Sequence, residues 1–222
     1  MSTVAKGPPF AEGRHPGWPA RLGPLRVRGG SVAIRPIRLS DAGPWSRIRR
    51  RDRAHLEFWE PTAPGSWDER NAGLAWLSQW AALRGLARSG QCLPFTITVD
   101  GEFAGQITVG NVIRASLRSA WIGYWVAKSV AGGGVATAAV ALVVDHVFTE
   151  AGLHRIEATV RPENTASLRV LAKVGFREEG LFRRYLDVAG DWRDHACFAI
   201  TAEEIGAGLT ERLVAAGFAS RE

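Results

Sequence analysis

Ala131–Gly132–Gly133–Gly134–Val135–Ala136–Thr137 links a stretch patterned as a strand to one patterned as a helix, and a turn of this composition can hold a diphosphate. Glycines leave backbone N–H groups free to converge on an anion, and the helix start beyond them adds unpaired donors and the positive end of a dipole. The same run also reads as an ordinary glycine-rich loop, so its context must decide. It lacks the Gly-Lys-Ser/Thr ending with which a nucleotide hydrolase binds phosphate and magnesium. Other residues with reactive side chains read as structural. His146 lies among the apolar positions of the helix that follows, where a histidine is usually packed and hydrogen-bonded. Cys92 and Cys197 stand alone in apolar stretches, without metal-ligand spacing.

The elements that must position this turn follow from periodicity. Residues 1–24 are rich in proline and glycine, without a repeat, and read as an N-terminal tail; residues 25–222 read as one domain. LRVRGGSVAIRPI gives two extended runs around Gly29–Gly30, and Ser40–Asp41 offers an N-cap for a helix to about Arg51. The aromatic run FWEPTAPGSW follows as a loop, and a second helix is expected from Trp67 to about Arg88. PFTITV and EFAGQITVGNV then flank Asp100–Gly101 as a hairpin, with residues 118–127 as a further strand. Beyond the glycine turn and its helix come HRIEATV as a strand, NTASLRVLAKVGF as a helix ended by Gly175, two final strands, and a short helix.

Composition narrows the class. In 222 residues, 46% are hydrophobic and 23% charged, as in a globular protein. The N-terminal stretch has no continuous apolar core of the secretory kind, so the expected location is cytoplasmic with no membrane contact. The net charge of +6 is uneven: residues 1–60 carry 12 Lys/Arg against 5 Asp/Glu. The cluster Arg47, Arg49, Arg50, Arg51 and Arg53 is its densest part, and it reads either as a solvated helix face or as a contact for RNA or the ribosome.

In order along the chain, YWV, AGGGVATAA, HRIEATV and RPENTASLRVLAKVGFREEG resemble the GNAT N-acetyltransferase superfamily, over roughly residues 26–201. RPIRLSDAGPWSRIRRRDRAHLEFWEPT and YLDVAGDWRDH resemble its RimJ/RimL branch, whose members acetylate N-terminal α-amines of ribosomal proteins. The resemblance implies an α+β GNAT fold: a mixed, mostly antiparallel sheet of about seven strands, splayed in the middle and flanked by helices. Acetyl-CoA would be the cosubstrate, wedged into the splay, with no metal. It further implies that Trp125, Val126 and Ala127 hold the pantetheine arm through backbone groups. Gly132, Gly133, Gly134, Val135, Ala136 and Thr137 would cradle the pyrophosphate, and Asn164 and Ser167 would meet the arm near its sulfur.

Two departures from the family pattern stand out. Its loop usually begins with Gln or Arg, where this chain has Ala131, so a side-chain donor is lost; either the backbone donors suffice, with weaker CoA affinity, or another basic side chain such as Lys128 or Arg169 compensates. Many relatives place a Tyr seven residues after the Asn to protonate the departing thiolate, where this chain has Leu171. In the RimL-like branch the proposed acid is a Ser three residues after the Asn, and Ser167 matches it.

The implied reaction is direct attack of an amine on the thioester, with the Val126 N–H as donor to the oxygen that gains charge. An α-amine with a pKa of about 7.7–8.0 is appreciably neutral at pH 7, so a weak or water-relayed base suffices. Glu157 is the expected base, with Glu60 and Asp187 as other carboxylates in range. Trp59, Glu60 and Tyr124 are expected to bind the acceptor, joined by Trp67 and Trp76 unless these are core. The expected acceptor is the N-terminal alanine of a ribosomal protein. Acetylation of a small amine, or a non-catalytic GNAT-fold protein bound to the ribosome or RNA, remain as alternatives.

Overall fold

The computed structural model describes residues 16–222, so most of the proline-rich tail lies outside the described residues. The first hairpin forms as expected from β1 (Leu22–Val27) and β2 (Gly30–Pro36). Helix α1 (Ala42–Arg51) follows a 3-10 turn, but its expected cap does not form. The Asp41 carboxylate is buried and accepts instead from both guanidinium amino groups of Arg35, from the Arg38 N–H and from the Thr96 hydroxyl. A buried carboxylate needs several charge-assisted partners, and a single helix-capping bond would not have supplied them.

Helix α2 (Arg53–Leu56) leads into the aromatic loop. The single helix expected from Trp67 to Arg88 is two, α3 (Trp67–Arg70) and α4 (Gly73–Arg88). The break falls at Asn71, whose side-chain amide turns back to the Trp67 carbonyl (2.7 Å) while Ala72 goes extended.

Strands β3 (Leu93–Val99) and β4 (Glu102–Ile113) are joined by Asp100–Gly101, both at positive φ (50° and 86°), as the two-residue hairpin requires. β5 (Ser119–Val126) runs through the glycine turn into α5 (Val135–Thr149), which is buried over most of its surface under the sheet. β6 (Arg155–Val160), α6 (Thr165–Val174), β7 (Arg177–Val188), β8 (Asp191–Thr201), α7 (Leu209–Ala215) and the two-residue β9 (Ser220–Arg221) complete the chain. His146 is packed as expected, with Nε2 bonded to the Gly17 carbonyl (2.8 Å) and its ring against Phe95. Among the described residues no helix is long and apolar enough to cross a membrane.

The nine strands form one sheet in the order β7-β8-β6-β5-β4-β3-β2-β1-β9. Every pairing is antiparallel except β5 with β6. That parallel pair is held at only three positions: Ser119↔Arg155, Ala120↔Ile156 and Trp121↔Glu157. Beyond them β5 continues beside β4 and β6 beside β8, so the sheet forks between Ile122 and Ala158. This is the mixed, mostly antiparallel, centrally splayed α+β sheet expected from the sequence, with nine strands where about seven were expected, the short β9 adding to the edge beside β1. Helices α5 and α6 start at the ends of the two arms, which brings both helix N-termini to the open end of the fork.

Candidate active site

Strand alternation decides which backbone groups face the fork. The Ala127 N–H donates to the Ala104 carbonyl on β4 (2.7 Å), and Gln106 is paired with Trp125 two residues along. Peptide groups of Trp125 and Ala127 therefore belong to β4, while those of Tyr124 and Val126 point to the unpaired edge. This corrects the expectation that all three of Trp125, Val126 and Ala127 offer backbone partners: of these, Val126 does. An unpaired edge of N–H and C=O groups is a template for a ligand that carries amides of its own.

The glycine turn lies just beyond this edge. Its φ is positive at Gly132 (75°) and at Gly134 (87°), where a side chain would be strained. Lys128 to Gly133 is wound tightly: Val130, Ala131 and Gly133 donate back to Ala127, Lys128 and Val130. The N–H groups of Gly132, Gly134, Val135, Ala136 and Thr137 have no acceptor among the described residues. Consecutive free donors at the start of a 15-residue helix suit an anion. Asp52, buried, accepts the Lys128 N–H (2.8 Å) and ties the turn to α1, and a hydrogen bond from Arg51 keeps its carboxyl below the usual range.

On the other arm Asn164 caps α6. Its Oδ1 accepts the Ser167 N–H (3.1 Å), which leaves the side-chain NH₂ to donate elsewhere. The Ser167 hydroxyl meets the Tyr124 hydroxyl across the fork at 2.9 Å. Burial pushes the Tyr124 phenol up to about 12, against a lowering contribution from that hydrogen bond. The pair therefore stays protonated at neutral pH and can hold or pass a proton between the arms. Tyr124 thus sits with Ser167, with no ring contact to the aromatic loop among the described residues; alternation points its side chain toward α6 and that of its neighbour Trp125 toward Phe103.

The aromatic loop, residues 57–62, is a strap across the open end. Arg161, buried just after β6, donates to the Phe58 carbonyl (3.0 Å) and lies over the Phe58 and Trp59 rings at 4.5 and 5.3 Å. Arg49, also buried, binds Glu60 and the Asn71 side chain and is stacked among Trp45, Trp67 and Trp125 at 5.0–5.3 Å. Through these two arginines the strap is anchored to both arms. Its far end is clamped to the β7–β8 hairpin, where Thr62 donates to Asp187 and Pro61 bridges Val188.

The remaining sequence candidates separate. Glu60 has one carboxylate oxygen on Arg49 and a side chain 26% exposed beside Trp59. Glu157 stands at the crotch of the fork with Oε1 on Arg155 (2.7 Å), in a chain of pairs that continues through Glu179, Arg177 and Glu204. Asp187 is occupied by Thr62. Trp67 and Trp76 are core, their indole N–H groups bonded to the Arg49 and Arg38 carbonyls. Both cysteines are buried, and burial pushes the Cys92 thiol up to about 11.

The basic cluster does not present a free cationic face. Arg49, Arg50, Arg51 and Arg53 pair with Glu60, Asp68, Asp52 and Glu57, leaving Arg47 alone of the five without an ion pair among the described residues. Arg49 and Arg161 were not singled out as site residues from the sequence. Arg161 was within reach there, as the first residue of the RPEN motif that supplies Asn164, whereas Arg49 was hidden in its charge run.

Comparison with known proteins agrees with this geometry. A family model described as an acetyltransferase (GNAT) domain matches residues 31–177. A solved structure of Mycobacterium smegmatis RimJ, in complex with CoA-disulfide, is 59% identical, superposes with a TM-score of 0.93, and covers 94% of this chain and 100% of its own. The Escherichia coli (strain K12) [ribosomal protein uS5]-alanine N-acetyltransferase is 26% identical over 194 residues, 85% of this chain and 96% of that one. A probable N-acetyltransferase of Bacillus subtilis (strain 168), YjcK, is 46% identical over 101 residues, 46% of this chain and 56% of its own length.

Proposed function

Because the chain belongs to the GNAT acetyltransferase family and is an acetyl-CoA-dependent N-acetyltransferase of its RimJ/RimL branch, we propose that its acceptor is the N-terminal α-amine of a ribosomal protein, with alanine as the first residue, in the cytoplasm. The observation that carries this is the strap. It lays Trp59 and the Glu60 carboxylate across both arms of the fork, where the Glu60 oxygen not held by Arg49 can accept from a chain-end ammonium. The likeness to RimJ runs the whole length of that protein, so it takes in the strap and the β7–β8 hairpin as well as the glycine turn.

The residues of the fork fit the cosubstrate. The free N–H groups of Gly132 and of Gly134 to Thr137 suit its diphosphate, and the unpaired Tyr124–Val126 edge and the Asn164 amide suit its pantetheine arm. Bound there, acetyl-CoA supplies the acetyl group as a thioester whose sulfur needs a proton when it leaves. Ser167 Oγ carries that proton, and the Tyr124 hydroxyl at 2.9 Å can restore it. The Val126 N–H faces the fork, where a fixed donor stabilises charge gathering on a carbonyl oxygen. Glu157, with one carboxylate oxygen not engaged by Arg155, takes the proton of the amine directly or through water. This asks little of it, because an α-amine with a pKa of about 7.7–8.0 is already partly neutral.

The test is CoA release from acetyl-CoA with a peptide carrying the Ala-initiated N-terminal sequence of a small-subunit ribosomal protein, beside the same peptide with a blocked N-terminus. Release with the free peptide alone is expected; release with both peptides, or with small amines alone, overturns the α-amine assignment. In the same assay Glu60→Gln should raise the peptide KM about fivefold and leave the acetyl-CoA KM alone, since the amide oxygen can still accept from Arg49 and hold the strap while the charge offered to the acceptor is gone. An equal rise in both would remove Glu60 from acceptor binding.

A further inference from the structure

We infer that the tip of the β1–β2 hairpin, Arg28 and Gly29, sets the glycine turn for the diphosphate of acetyl-CoA, with Arg28 supplying from this distant turn the cation that position 131 lacks. The inference rests on the family's cosubstrate and not on the identity of the acceptor. An anion cradle fails if its carbonyl groups face the anion. Here two consecutive carbonyls are each engaged by a hairpin donor and so screened from an anion: Arg28 Nη2 donates to the Gly132 carbonyl (2.7 Å), and the Gly29 N–H donates to that of Gly133 (2.8 Å). In a planar trans peptide the N–H points opposite to its C=O. Fixing the Gly133 carbonyl against the hairpin therefore aims the Gly134 N–H, which has no acceptor among the described residues, to the other side.

The approach is close enough to need glycine on both sides. A Cβ on Gly133 would fall 2.7 Å from the Gly29 Cα, and one on Gly29 would fall 2.8 Å from Val135 Cγ2 and 3.2 Å from the Gly133 carbonyl oxygen. Neither glycine has a positive φ, so it is this contact, and not backbone conformation, that calls for them. Arg28 is exposed and makes no ion pair among the described residues, so its charge is uncompensated beside the turn. Lys128 and Arg169, the other basic side chains near the turn, are exposed and make no side-chain hydrogen bond to it among the described residues. Arg28 takes their place, and its guanidinium keeps further N–H donors after the one spent on Gly132.

Titration calorimetry of the full chain with CoA and with dephospho-CoA tests this. Arg28→Ala should weaken both ligands about tenfold, as expected for loss of a hydrogen bond from a charged donor. The loss should shrink in high salt, because the guanidinium is exposed. Arg28→Lys should recover part of the affinity, and Ala131→Arg placed in the Arg28→Ala chain should recover most of it. A hairpin that mattered only for folding would show neither the salt dependence nor rescue from position 131. Unchanged affinity in Arg28→Ala overturns the proposal. So does a loss confined to CoA, which would assign Arg28 to the 3′-phosphate. Failure of the unsubstituted chain to bind CoA would overturn the cosubstrate itself, and the proposal with it.

Discussion

Ser167→Ala should lower kcat by about a hundredfold or more, within the usual range for removing a general acid, while the affinity for acetyl-CoA stays within about twofold. The position normally occupied by a tyrosine acid in this superfamily is Leu171, which is buried in the core, so the proton has to come from elsewhere. Ser167 Oγ is the hydroxyl at the fork, and its contact is the Tyr124 hydroxyl at 2.9 Å. Tyr124→Phe should cost less, about tenfold, because water can replace a second proton donor more readily than the first. If the two hydroxyls act as one unit, the double substitution should be no slower than Ser167→Ala alone. Full additivity would mean that Tyr124 serves only to pack the fork.

The pH profile has a definite sign. With the Tyr124 phenol pushed up to about 12, no alkaline fall should come from it below that value. The rise with pH belongs to the acceptor and should be centred at about 7.7–8.0 for an α-amine. A lysine acceptor would carry the rise to about 10.4. An unchanged kcat in Ser167→Ala, measured at saturating substrates, would remove Ser167 as the acid.

The cofactor side of this site was readable because each of its parts is local in sequence. A glycine turn opening a helix, Asn164 as a cap with Ser167 three residues on, and the Asp100–Gly101 hairpin are all set by neighbouring residues. What escaped the sequence depends on contacts between distant segments. Strand alternation about β4 decides which of Trp125, Val126 and Ala127 faces the fork, and the pattern YWV does not contain that pairing. Asp41 looked like a cap until Arg35 and Thr96 closed over it. Asn71 breaks a helix that apolar spacing alone would have continued. The arginine run 47–53 has the composition of a cationic surface, yet all of its charges but that of Arg47 are met by acids that the sequence places 1 to 18 residues away. Arg28, at the turn of the first hairpin, reaches the glycine loop across 104 residues.

Arg49 shows the energetic side of the same point, and Arg49→Met should be the most destabilising single change among the site residues. Its guanidinium is buried, stacked among three indoles, and hydrogen-bonded to Asn71 and Glu60. Methionine keeps much of the volume but leaves the Asn71 oxygen without its donor and the Glu60 carboxylate without its cation. Breaking a buried pair from one side costs about 3–5 kcal/mol. Glu60 is partly open to water, which moves the expectation to the lower end, and at roughly 2–4 °C per kcal/mol for a chain of this size Tm should fall by about 10 °C. Arg49→Lys should not rescue this, because an ammonium cannot reproduce the planar stack or the two-sided hydrogen bonding. Combining Arg49→Met with Glu60→Gln should restore part of the loss, since the stranded charge is then gone. A Tm within about 2 °C of the unsubstituted chain would mean that the indoles pack equally well without the cation. The acceptor KM is the second readout: with Arg49 gone, Glu60 and the strap that carries it lose their anchor on α1, and the KM for the peptide should rise while that for acetyl-CoA does not. Loss of both affinities together would mean that Arg49 and its three indoles support the whole fork, and not the acceptor side alone.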